Sequence, residues 1–230
     1  MTDRHRGTVQ EGVARMTSRD PVERRTRMSR ESRASQLLDV AEELFATAGF
    51  EGTSMEDIAR EAGVTKPVVY SHYPTKDIVF LECVRRARTE LELRIREPEI
   101  MISAGAGVEA VMERAGDILF SMLERDPQRW MVLFNPSTAL SKELSHQLTE
   151  MRRHTIDRIA EMLRHFSAAD QEQDDAFAYA VSGVGEQLGR WWIANPDVPR
   201  SRVVELYRDF ITGGLTASLQ TAGDRTVGPS

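Results

Sequence analysis

Cysteine occurs once in these 230 residues, as Cys83. No disulfide can form within the chain, and such sparing use fits a reducing, cytoplasmic setting. Nothing basic in a fixed arrangement stands near Cys83 to lower its pKa, so a small apolar filler is the expected role and a redox sensor the alternative. Long apolar runs are also missing. None approaches the ~18 residues of a membrane span, and the Arg-rich beginning lacks the apolar core of a secretory signal. No membrane partner is expected. Histidine is scarce, at His5, His72, His146, His154 and His165. The last three share an expected helix, but at spacings of 8 and 11, where a helical metal pair needs i, i+4. HExxH, a Gly-rich phosphate loop and GxSxG do not occur. We therefore expect no metal, no cofactor, no catalytic residues and no enzyme. Strand-like alternation and hairpin turn signals are absent too, which leaves an all-α fold.

Positive charge is in deficit overall, with a net charge of −6. The deficit is uneven. Residues 1–76 carry twelve Lys/Arg and twelve Asp/Glu, so the whole −6 falls on 77–230. A nucleic-acid binder needs only a local basic surface, and an acidic remainder helps to orient it.

What the chain does have is residues 53–77, TSMEDIAREAGVTKPVVYSHYPTKD. Thr53 and Ser54 are N-cap residue types, and Thr53 with Glu56 has capping-box spacing. Ile58, Ala59 and Ala62 make the apolar face of a short helix. Gly63 closes it, being free to adopt a left-handed conformation. Thr65 is a second cap, and Pro67 sits in a first turn, where its missing N–H is no loss. Pro74 ends that second helix, and Thr75 and Asp77 begin a third. The pattern is a helix-turn-helix, in which one helix braces the backbone and the next offers side chains to a DNA groove. From Gly63 to Lys76 there is no carboxylate. The same spacing also suits a plain αα-hairpin, so further positions must decide.

Those positions lie in the run GFEGTSMEDIAREAGVTKPVVYSHYPTKDIVF. It resembles the N-terminal domain of the TetR family of bacterial transcriptional regulators. The likeness rests on the Ala48-Gly49-Phe50 helix ending, the Thr-x-x-x-x-Ile-Ala core, the Ala-Gly-Val turn and the Tyr-x-x-Tyr-x-x-Lys run; it covers roughly residues 30–80. Pro67 stands where such proteins often have Gly or Ala, and Tyr73 where Phe is commoner, so altered base contacts are expected. Thr65, Lys66, Pro67, Val68 and Tyr70 would present to the major groove of a double-stranded DNA operator. Thr53, Ser54, Ser71, His72, Tyr73 and Lys76 would lie beside them or hold phosphates.

The remaining chain divides by its breakers. Residues 1–29 have few large apolar side chains and read as a flexible Arg-rich arm. A helix from Arg30 to Ala48 completes a three-helix DNA-binding domain over 30–76, with Leu44, Phe45, Ile58 and Val64 in its core. Another helix runs from Lys76 to about Arg96 and stops at Pro98. Helices at about 108–125, a short one around Trp130, and 139–166, 171–194 and 200–220 make a C-terminal ligand-binding and dimerisation domain over 77–221. Residues 222–230 read as a frayed tail.

Methionine and aromatic side chains in the second domain suit an apolar pocket, with Met112, Trp130, Phe134, Met151, Phe177 and Trp191 as its candidates. In helix 171–194, Ala178, Ser182, Gly185 and Gly189 form a stripe of small residues. Interior glycine costs about 1 kcal/mol relative to alanine, so another backbone is expected close by, in the same subunit or in a second one. With Phe210 and Gly214 of the last helix, the stripe is the candidate homodimer interface. The resemblance implies a homodimeric repressor, released from a palindromic operator by a small apolar ligand. The rival reading is a helical small-molecule-binding or protein-interaction module without specific DNA binding.

Overall fold

Ser29 accepts a hydrogen bond from the Ser32 amide and so starts the first helix at Arg30. The computed structural model describes residues 28–134, 140–166 and 170–226, the side chains of 133, 134 and 218–226 excepted. The arm expected over 1–29 lies outside them up to residue 27. Among the described residues the fold is all-α: α1 (Arg30–Gly52), α2 (Met55–Glu61), α3 (Lys66–His72), α4 (Lys76–Ser103), α5 (Val108–Arg125), α6 (Pro127–Phe134), α7 (Lys142–Leu163), α8 (Gln171–Ile193) and α9 (Arg200–Thr226).

Two glycines act as the sequence requires. Gly49 has φ 75 and breaks the helical path of α1, and Gly63 has φ 64 at the turn between α2 and α3. Three expectations need correction. The capping box of α2 is Ser54 with Asp57, not Thr53 with Glu56, because the chain enters the helix one residue later. Helix α4 does not stop at Pro98 but continues to Ser103. Proline removes one intrahelical hydrogen bond, and here flanking packing outweighs that loss, for Pro98 is buried. Helix α9 runs on to Thr226, into the stretch read as a frayed tail.

The apolar side chains bury into two clusters. One gathers Leu37, Ala41, Phe45 and Phe50 of α1 with Ile58, Val69, Val79 and Phe80. Phe45, Phe50 and Phe80 meet ring to ring, with centroids 5.1 to 5.9 Å apart, a spacing at which aromatic quadrupoles attract. Val132 of α6 and Leu144 of α7 also enter this cluster, so the C-terminal helices help to hold the N-terminal three. Cys83 is buried here, its thiol near the Leu38 carbonyl at 3.9 Å. Burial pushes its pKa well up, as expected of a filler. The second cluster lies among α4 to α9, around Phe120, Trp130, Leu163 and Tyr207. Helix α4 contributes to both.

Candidate functional site

Helix α3 is held from below and open above. Val69 is its buried anchor. Thr65, Lys66, Pro67, Tyr70 and Ser71 are exposed, with Tyr70 at 46 %. Val68 and His72 are half-buried. Thr65 makes no side-chain cap bond, and Lys66 forms an ion pair with Glu56 of α2. Both ends of that pair are largely solvated, where such a pair is worth little and breaks readily.

Four residues expected at this surface are engaged within the chain. Thr53 is buried, and its hydroxyl donates to the Gly49 carbonyl at 2.8 Å. Tyr73 is buried, and its hydroxyl donates to Ala34 O at 3.2 Å. Lys76 Nζ donates to Phe50 O (2.7 Å) and Thr53 O (2.9 Å) and stands 4.2 Å from the Phe50 ring centroid. Ser54 spends its hydroxyl on Asp57. These residues lock the α1–α2 corner under α3. Sequence alone could not separate them from contact residues, because hydroxyls and lysines serve both purposes.

The second site is a cavity of about 110 Å³ lined by α4 to α9. Leu91, Ile95, Met112, Ile118, Leu119, Ile159, Met162 and Val181 make its apolar wall. Of the expected ligand residues, Met112 and Trp130 line it. Met151 packs against the N-terminal cluster instead. Phe177 turns toward α9, where it fills the space beside Gly214. Trp191 is 43 % exposed; its neighbour Trp192 is the buried one, donating to Val198 O at 2.7 Å. The side chain of Phe134 lies outside the described residues. What sequence reading missed is the polar part of the wall: Arg88, Arg152, Thr155 and Glu186. A signal existed, since Arg88 interrupts the inward face of α4 between Val84 and Leu91.

The small-residue stripe of α8 is also corrected. Ala178, Gly185 and Gly189 are buried within this chain. A Cβ on Gly185 would stand 2.9 Å from Leu119 Cδ2, and both Gly185 and Ser182 line the cavity. Gly214 likewise abuts Phe177, at 3.1 Å from an added Cβ. The close approach that these residues signal is therefore internal. Among the described residues, the large exposed apolar side chains of this end are Tyr179 and Trp191 on α8 and Phe210 on α9, the last 65 % exposed. Gly183 and Gly213 have no atom within 4 Å of an added Cβ.

Between the two sites stands α6. Arg129 sends Nε to Glu42 Oε2 of α1 at 3.1 Å and Nη1 to Glu90 Oε2 of α4 at 3.1 Å, with Asp126 Oδ2 3.0 Å from Nη2. Arg86 of α4 stands 3.8 Å from the other Glu42 oxygen. Glu42 is only 2 % exposed. Burial raises its pKa, and the two guanidiniums partly oppose that rise. The next residue, Trp130, is 1 % exposed and belongs to the cavity wall.

Among the described residues no group of three or more His, Cys, Asp or Glu could hold a metal ion, and no helix is long and apolar enough to cross a membrane. Comparison with known proteins gives a consistent picture. Residues 37–83 match the model for bacterial regulatory proteins of the tetR family, and residues 108–214 match a tetracyclin repressor-like C-terminal domain. The transcriptional activator FasR of Mycolicibacterium smegmatis is 24 % identical over 194 residues, 84 % of this chain and 87 % of that protein. A TetR-like regulator from Rhodococcus sp. RHA1 superposes with a TM-score of 0.69 at 24 % identity, over 83 % of this chain and 99 % of that one. AibR, solved with isovaleryl coenzyme A and operator DNA, superposes with a TM-score of 0.65 at 14 % identity, over 77 % of this chain and 97 % of that one. The chain belongs to the TetR family: it is a DNA-binding transcriptional regulator.

Proposed function

We propose that this protein is a homodimeric repressor that holds a palindromic operator when empty and releases it when a small molecule fills the α4–α9 cavity. The observation that carries the reading is the pair Arg129–Trp130. One residue clasps Glu42 of α1, the other walls the cavity, so a ligand that shifts α6 acts directly on the DNA-reading unit. Allostery needs two sites and an element that both of them bias; α6 and the length of α4 supply it.

On the DNA side, Thr65, Pro67, Val68 and Tyr70 face bases, while Lys66 leaves Glu56 for a phosphate with Ser71 and His72 beside it. Thr53, Ser54, Tyr73 and Lys76 position α3 from behind. The dimer forms through the exposed faces of α8 and α9, around Tyr179, Gly183, Trp191, Phe210 and Gly213, in place of the buried small-residue stripe. A two-fold pair of reading helices then meets half-sites one or more DNA turns apart. To carry the operator-binding form from dominant to rare, a ligand must prefer the other form by about 10⁴-fold.

The test is a salt titration of binding to the DNA just upstream of the protein's own gene, run with the wild type and Phe210→Glu. Tight binding that weakens steeply with salt, together with loss of both dimer and operator affinity in the variant, supports the reading. Equal, weak affinity for random DNA would overturn it and favour a binding module that does not read sequence.

A further inference from the structure

Most of the cavity wall is apolar, yet its polar residues are not balanced. Arg152 on α7 pairs with Glu186 on α8 at 2.8 Å. Arg88 on α4 has no carboxylate bonded to it among the described residues. Its Nη1 donates to Thr155 Oγ1 at 3.0 Å, and its Nε is buried with no hydrogen-bond partner. Trp130 is 1 % exposed and its indole Nε1–H has no partner either. Arg152 is ion-paired with Glu186, so the one guanidinium of the lining without a bonded carboxylate is that of Arg88, which the charges of Glu186 and Glu92 nearby help to keep protonated. Burial, followed by the charge of Arg152, lowers the Arg88 pKa to about 10, which still leaves it charged at neutral pH.

A buried donor without an acceptor is costly, and a buried guanidinium more so. Native proteins satisfy nearly all such groups. Two of them in the wall of one cavity describe what the cavity lacks: an acceptor, and one negative charge.

We infer that the cavity takes an amphipathic monocarboxylate, whose apolar body lies against Leu91, Ile95, Met112 and Met162 and whose carboxylate is bound by Arg88, with Trp130 Nε1–H as a further donor to the bound molecule. The inference rests on the reading of the cavity as the effector site and departs from the expectation of a small apolar ligand. Glu186 shapes selectivity as well. By neutralising Arg152 it leaves room for one anionic charge and disfavours a second.

The experiment is calorimetric titration of the full-length protein with short- to medium-chain monocarboxylic acids, each beside its methyl ester and its primary alcohol. Wild type, Arg88→Gln and Trp130→Phe are compared, with thermal unfolding to confirm that each variant folds. For the wild type an acid should bind roughly 10- to 100-fold tighter than its ester, the range expected for hydrogen bonds to a charged group. Arg88→Gln should abolish that preference while the ester's affinity stays as it was. Trp130→Phe should weaken acid binding by a smaller factor. Equal affinity for acid, ester and alcohol in the wild type, an acid preference that survives Arg88→Gln, or no binding of any of them would overturn the inference. Adding operator DNA separates it from the function proposed above. An acid that binds with the stated preference yet leaves operator affinity unchanged upholds the ligand chemistry and sinks the effector role.

Discussion

Arg129 and Glu42 lie 87 residues apart in sequence and 3.1 Å apart in space, and their contact joins α6 to α1. The pair is unequal. Arg129 also has Glu90 and Asp126, whereas Glu42 without it keeps only Arg86 at 3.8 Å. Arg129→Met therefore strands a buried carboxylate and should cost about 3 kcal/mol or more. It should also add a pH dependence. Glu42 already has a pKa raised above 4.5, and losing a guanidinium raises it further. An acid that holds its proton more tightly when folded loses stability as pH rises from its unfolded value through its folded one. Denaturant melts of the variant should show stability falling across that window more steeply than in the wild type. A flat difference would mean that Glu42 is not the group left exposed to the change.

Tyr70 and Lys76 should separate reading from scaffolding. Tyr70 is 46 % exposed, so Tyr70→Ala should change stability by no more than about 0.5 kcal/mol while lowering operator affinity roughly 10-fold or more. Lys76 is bonded to two carbonyls of the α1–α2 corner. Lys76→Ala should cost about 1–3 kcal/mol of stability, measured by chemical denaturation. A DNA defect without any stability loss would return Lys76 to the role of phosphate contact.

Gly183 and Gly185 differ although they share a helix. An alanine at 183 meets open space and should raise the stability of the subunit by about 0.5–1 kcal/mol through backbone entropy. At 185 the new Cβ stands 2.9 Å from Leu119 Cδ2. Leu119 must swing aside, and both residues line the cavity, so the helix-propensity gain is offset and ligand affinity should fall. Thermal unfolding of the two variants, with and without a bound ligand, checks both statements.

Asp57 gives the DNA-reading unit an acid limit. Hydrogen bonds from the Ser54 hydroxyl, then Arg60 and the Ser54 amide, lower its pKa from 3.8 to about 2. A carboxylate whose folded pKa is depressed contributes stability above its unfolded value and loses it as pH falls through the folded one. Far-UV and fluorescence titration should therefore show this contribution failing between about pH 4 and pH 2. In Asp57→Asn that step should be absent.

Much of this was legible in the chain itself. The order Ser54, Gly63, Thr65, Pro67, Pro74 places α2 and α3 within a residue or two, because caps and breakers act locally and need no tertiary information. The same holds for α5, α6 and α8. What escaped depends on long-range packing. Pro98 is a breaker by local rules, yet burial keeps it inside α4. Thr53, Tyr73 and Lys76 have the chemistry of DNA contacts, and only their neighbours in space reveal that they are occupied. Gly185 signalled a close approach correctly, but the approaching group, Leu119 of α5, lies in the same chain.

Pro98 has a mechanical consequence. Lacking an N–H, it leaves the Arg94 carbonyl without its partner in the helical ladder, so α4 has one missing rung and is most compliant there. The cavity residues of α4 divide at this turn: Arg88 and Leu91 lie before it, Ile95 and Pro98 within it. A push applied within the soft turn is absorbed by bending. One applied at Arg88 travels along about 18 Å of intact helix, at 1.5 Å per residue, to Lys76 at the base of α3. Of all the groups in a bound molecule, the one that seats on Arg88 holds the stiff end of the lever.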